Sequence, residues 1–193
     1  MKKIFLAVIA VIVVLAGGLM LSYNGLAGSK EAVETAEADV DTMLQRRADL
    51  IPNLVNTVKG YASHEKETLD AVVNARAKAT QVTISPDNLN EASLQKYQAA
   101  QGELSQALGR LLMVTENYPD LKANQNFLEL QAQLEGTENR ISTERTRYTD
   151  MVRDYNAMIR RFPASIIAGI GGFDKKPQFT AEAGAEKAPE VKF

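Results

Sequence analysis

The sequence contains no cysteine and no tryptophan, a single histidine in 193 residues, and no surplus of positive charge, with 22 Lys and Arg against 24 Asp and Glu. Each shortage removes a class of function. Without cysteine there is no disulfide, thiolate metal site, cysteine nucleophile or lipid-modified cysteine anchor. A formal charge of -2 and a pI near 5.6 oppose a nucleic-acid partner, because such binding needs a basic face to displace counterions from phosphates. His64 sits in His64-Glu65-Lys66-Glu67-Thr68, where Thr68 stands at the second ligand position of a zinc-peptidase helix. No Glu-x-x-His pair, phosphate-binding loop or nucleophile elbow occurs, so the chain reads as non-enzymatic, with no metal and no cofactor expected.

What is present begins with Ile4 to Leu21, an uncharged, almost wholly apolar run. As a helix it spans about 27 Å, close to the ~30 Å of a bilayer's hydrocarbon. Lys2 and Lys3 precede it, and Gly25-Leu26-Ala27 offers a small-x-small cleavage site, so a secretory signal competes with an uncleaved anchor. The run exceeds the usual ~7–15 apolar residues of a signal, which favours a signal-anchor. The lysines place the N-terminus (1–3) in the cytoplasm, and acidic Glu31 to Asp41 suits an exported side. Gly18 and Ser22 give only a weak helix-dimer motif at the edge of the span.

Beyond Ser29 the apolar residues Val33, Ala36, Val40, Leu44, Ile51, Leu54, Val58, Ala62, Leu69, Val72 and Val73 recur at three-and-four spacing to about Gln81. A turn over 83–90 follows. A second stripe runs from Leu94 through Tyr97, Leu104, Leu108 and Leu111 to Tyr118-Pro119. A third runs from Leu121 through Phe127, Leu134, Ile141, Tyr148, Val152, Tyr155 and Ile159 to Phe162-Pro163. No strand pattern interrupts them. The expected architecture is all-α: an elongated antiparallel up-and-down bundle of three long helices over 22–163, after a transmembrane helix over 4–21. A helix over 30–81 would be about 75 Å long, so it either begins as a stalk or breaks at Pro52, giving four helices. Residues 164–193, rich in Gly and Pro without helical periodicity, read as an irregular, flexible tail.

Five charges fall on the apolar stripes: Arg47, Glu65 and Arg76 on the first, Glu138 and Arg145 on the third. Turned inward, they need partners, and interhelical Arg–Glu pairs that fix register are the favoured reading. A polar groove that binds a ligand or partner is the alternative. Asn53, Lys59, Asn117, Asn124, Asn139 and Asn156 lie beside the seams.

The strings Arg47-Ala48-Asp49-Leu50-Ile51-Pro52-Asn53-Leu54-Val55 and Val58-Lys59-Gly60-Tyr61-Ala62-Ser63-His64-Glu65 resemble the signature of the LemA family. Glu116-Asn117-Tyr118-Pro119-Asp120-Leu121-Lys122-Ala123-Asn124, Thr137-Glu138-Asn139-Arg140-Ile141, Tyr155-Asn156, Phe162-Pro163 and Tyr23-Asn24 fit it too. Thr149, where the family has Asn, and the loosely matching Pro177-Gln178-Phe179 depart from it. The resemblance implies a bacterial membrane-anchored protein with a four-helix-like bundle, which favours a break near Pro52, and it supplies no biochemical activity. It also suggests, by gene association, an envelope partner such as a membrane metallopeptidase. The resulting expectation is a single-pass inner-membrane protein whose extracytoplasmic bundle binds another envelope protein.

Overall fold

The computed structural model describes residues 1–82 and 89–179. They form six helices and no strand: α1 (Lys2–Tyr61), α2 (Lys66–Gln81), α3 (Glu91–Thr115), α4 (Pro119–Lys122), α5 (Gln125–Met158) and α6 (Ala164–Gly171). Most of the turn expected over 83–90, and the tail beyond 179, lie outside the described residues.

α1 runs unbroken for 60 residues, so the expected break at Pro52 does not occur. Proline lacks the N–H that would bond the carbonyl four residues back, here Ala48. That carbonyl instead accepts from Arg76 Nε at 2.7 Å, so α2 supplies the donor that Pro52 lacks. The break lies at Ala62–Glu65, just past Gly60, where the Ala62 N–H bonds Val58 O at 2.8 Å and Glu65 N–H bonds Ala62 O at 3.1 Å. Sequence periodicity hides it. Val58, Ala62, Leu69 and Val72 keep helical spacing across the turn and are all buried in one core.

α3 opens with a reciprocal cap: Ser93 N–H donates to Asn90 Oδ1 and Asn90 N–H to Ser93 Oγ, both at 2.9 Å. The third long helix starts later than the stripe implies. Pro119–Lys122 is a separate turn that buries Leu121, and Asn124 caps α5 by accepting from Phe127 N–H at 3.0 Å.

α1 and α5 pack antiparallel. Asn124 Nδ2 donates to Tyr61 Oη at 2.9 Å, Arg47 pairs with Glu138 at 2.6 Å, and Arg147 pairs with Asp39 at 2.9 Å. α2 and α3 are likewise antiparallel, with Lys78 on Glu103 and Gln101 on the Ala79 carbonyl. Two apolar cores result. One joins Ile51, Leu54 and Val58 of α1 to α2, α3, Leu121 and the start of α5. The other joins Val33, Ala36, Val40 and Leu44 to Leu94, Tyr97, Ile141, Tyr148, Val152 and Tyr155.

The apolar first part of α1 is long enough to cross a membrane and none of it is buried. Residues 164–171 form helix α6 where an irregular tail was expected, whereas 173–179 have no regular secondary structure. α6 packs Ala164 and Ala168 on Leu26 and ends at Gly172, whose φ of +68° lies in the left-handed region open to glycine. Its eight residues are uniformly small or apolar, so no period marks them. Beyond it, 173–179 lies along α5. Asn156 donates to Lys176 O at 2.8 Å and accepts from Lys176 N–H at 3.0 Å, while Tyr155 and Tyr148 donate to the carbonyls of Asp174 and Pro177, each at 3.0 Å.

Candidate functional site

Between the two cores lies a polar layer centred on Arg47, whose side chain is 1% exposed. Spacing from Leu44 and Ile51 turns it inward from α1. One guanidinium nitrogen donates to Glu138 Oε1 of α5 at 2.6 Å and to Ser105 Oγ of α3 at 3.0 Å; another donates to Gln101 Oε1 at 2.5 Å. Gln101 is oriented by its own amide, which donates to Ala79 O of α2 at 3.3 Å and so leaves its oxygen to Arg47. One buried cation thus reads α3 and α5 directly and α2 through Gln101. Its Nε has no partner. Sliding any of these helices would take a partner away from the buried Arg47 charge.

The five inward charges do not form one cluster. Arg47 and Glu138 pair, although the Glu138 side chain is 42% exposed. Arg76 lies one turn away on the Ala48 carbonyl. Glu65 sits at the α1–α2 turn, where its Oε1 accepts from Tyr118 Oη at 2.8 Å; that bond holds the Tyr118 hydroxyl above its ordinary pKa. Arg145 lies over the Phe179 ring at 5.4 Å. Val73 and Phe162, assigned to the apolar stripes, are 48% and 81% exposed.

A cleft of about 670 Å³ opens beside the polar layer, between α1, the end of α2 and α3. Asp41, Gln45, Arg46, Asp49, Thr80, Tyr97 and Gln101 are among its walls, and none of the five inward charges is. Tyr97 Oη donates to Asp41 Oδ1 at 2.5 Å. Burial, then this bond and the Asp41 charge, push the Tyr97 hydroxyl far up, so it acts as a fixed donor. Burial raises Asp41 as well. One turn along α1, Glu37 has both oxygens shut from solvent with no hydrogen-bond partner. Burial, and then Asp41, raise its carboxyl above 4.5, against the pull of Lys176.

Sequence reading placed Tyr97 only on an apolar stripe and Asp41 and Glu37 only in the acidic segment 31–41, and it did not name Gln101. Gln101 had a signal: it falls four after Tyr97 and three before Leu104, on the second stripe. Glu37, four after Val33, had the same signal. Among the described residues no group of three His, Asp or Glu is placed to hold a metal ion, and His64 stands exposed at the α1–α2 turn.

Aligned over 205 positions, the chain is 26% identical to "Magnetosome protein MamQ 2" of Paramagnetospirillum magneticum, covering 96% of this chain and 75% of that protein. It is 23% identical to "Magnetosome protein MamQ" of Magnetospirillum gryphiswaldense, covering 90% and 70%. It is also 22% identical to "Protein LemA" of Metamycoplasma hominis, covering 75% and 63%. Residues 36–193, most of the chain including the polar layer, the cleft and the strap on α5, match the LemA family, and the chain belongs to it.

Proposed function

We propose that this is a non-enzymatic, single-pass protein of the bacterial inner membrane whose helices form an up-and-down bundle outside the cytoplasm, scaffolding another envelope protein. The observation that carries the reading is α1 itself. One helix has an exposed apolar first part and then supplies the inner face of both cores, so the packed helices and the apolar segment share one continuous helix. A helix of that composition gains by entering hydrocarbon, and its backbone is already satisfied there. Lys2 and Lys3 favour a cytoplasmic N-terminus. The names of the MamQ relatives, magnetosome proteins, are compatible with work at a membrane. A metallopeptidase partner remains an expectation of gene association.

Reporter fusions after Asn90 and Phe162, combined with photocrosslinking in native membranes, test this. The expected result is extracytoplasmic reporter activity at both sites and one recurrent crosslinked envelope protein. Cytoplasmic activity at both sites overturns the topology, and crosslinks confined to lipid overturn the scaffold.

The second reading, a small-ligand or peptide site, is favoured by the cleft at Asp41, Tyr97 and Gln101 rather than by a groove lined with all five inward charges. A small molecule that co-purifies with the parent and is lost in Tyr97→Phe would support it.

A further inference from the structure

We infer that α6 and the two arginines before it form a second membrane contact, a wedge lying in the phospholipid headgroup layer beside the point where α1 leaves the bilayer. The inference rests on the reading that Ile4 to Leu21 crosses the membrane.

The level of α6 is set by its docking. Ala164 and Ala168 pack on Leu26, and the Phe173 ring meets the Tyr23 ring edge-on at 5.8 Å between centroids. Leu26 lies five residues beyond Leu21, about 7–8 Å along a helix. A headgroup layer is roughly 5–7 Å deep on each side of the hydrocarbon. Docking on Leu26 and Tyr23 therefore holds α6 at the lipid–water boundary.

Its composition matches that level. The two alanines give α1 a small, close-fitting face. The other side carries Ile166 and Ile170, one helical turn apart and 48% and 82% exposed, and Phe162, just before the helix, is 81% exposed. Among the other described residues beyond α1, the large exposed apolar residues Val73, Met113 and Leu128 are scattered singly. Here Ile166 and Ile170 share one face of α6 and Phe162 is exposed just before it, next to the apolar segment. From Ile159 to Phe173 the only charges are Arg160 and Arg161, both exposed and without an ion pair among the described residues. An apolar face with cationic flanks is what an interfacial helix needs, because the side chains enter the acyl boundary while guanidinium groups meet lipid phosphate. Tyr23, 51% exposed, adds a ring of the kind enriched at this depth.

The absence of native tryptophan gives a clean test. Leu15→Trp, Ile170→Trp and Met113→Trp are made singly in the full chain and reconstituted in vesicles of phosphatidylethanolamine and phosphatidylglycerol carrying dibrominated acyl chains. All three positions are exposed, at 61%, 82% and 67%, so each ring replaces a side chain outside the core. The expected result is quenched, blue-shifted emission for Leu15→Trp and Ile170→Trp, with Met113→Trp unaffected. Phe162→Trp should repeat the Ile170 result, and adding Arg160→Glu with Arg161→Glu to Ile170→Trp should weaken its quenching. Quenching at 15 without quenching at 170 and 162 overturns the wedge and leaves the span intact; that surface would then face water or a protein. No quenching at 15 overturns the span reading, and the wedge with it. Equal quenching at 113 and 170 shows indiscriminate adsorption and also overturns the wedge.

Discussion

The two sides of the Arg47 layer are built differently. On the side away from the apolar segment, α1, α2, α3 and α5 surround a core of aliphatic side chains with one phenylalanine, Phe127. Towards the apolar segment α2 and most of α3 are gone, and α1 and α5 are joined instead by Tyr97, Tyr148 and Tyr155 and by the extended 173–179 strap. Helices bond their own backbones, but an extended strap cannot, so its carbonyls must find donors elsewhere. Tyr148, Tyr155 and Asn156 of α5 provide them. One end of the molecule is thus held by apolar burial and the other by apolar burial together with side chains that bond the strap's backbone. Arg47 joins the two, and the cleft opens next to it.

Removing that joint is expected to have the largest effect. Arg47→Ala leaves the buried Gln101 and the part-buried Ser105 without their common donor and opens a cavity, and should cost about 2–4 kcal/mol in urea unfolding of the full chain in detergent. A cost below ~1 kcal/mol would mean that the two sides do not depend on the layer.

Arg76→Ala strands the Ala48 carbonyl opposite Pro52 and should cost about 1–3 kcal/mol. Pro52→Ala restores an N–H to that carbonyl, so in this background the cost of Arg76→Ala should fall to a few tenths of a kcal/mol. Equal costs in both backgrounds would break the link between the proline and the arginine.

Asn156→Ala removes both bonds to Lys176 and should cost about 1–2 kcal/mol, confined to one side. Hydrogen exchange at 173–179 should accelerate while the amides of α2 keep their protection. Acceleration in both would show that the two sides unfold as one unit.

Glu37→Met is expected to be the smallest change and to be stabilising, on the order of 1 kcal/mol at neutral pH because the residue as a whole is only partly buried. The folded chain holds the Glu37 proton more tightly than the unfolded chain, so this carboxyl's stabilising contribution is present at low pH and lost as pH rises through its raised value, above 4.5. The advantage of Glu37→Met should therefore shrink on acidification towards about pH 4. An advantage that grows on acidification would contradict the assignment.

The stripes were readable because burial repeats with the helix: Val33, Val40, Leu44, Ile51, Leu54 and Val58 are all in the cores. Arg47 was readable for the same reason, since a charge in phase with Leu44 and Ile51 has nowhere else to point. Its partner Gln101 obeyed the same rule on another helix, but an amide draws less notice than a charge. The Pro52 error had a different origin. A proline's cost is local, whereas the group that removes it, Arg76, comes from the next helix. The true break at Ala62–Glu65 left no gap in phase, and α6 has no polar face to create one. The grouping of the inward charges could not be read from one helix at a time, because periodicity assigns a side but not a partner.

One unbroken helix runs from the apolar segment past Pro52 and into both cores. With no native cysteine, Leu15→Cys with Lys59→Cys gives a unique spin-label pair in the full chain in lipid nanodiscs. A continuous helix predicts one narrow distance distribution near 66 Å from the rise per residue. A broad distribution, or one centred well below that distance, would show that α1 bends or breaks between residues 15 and 59.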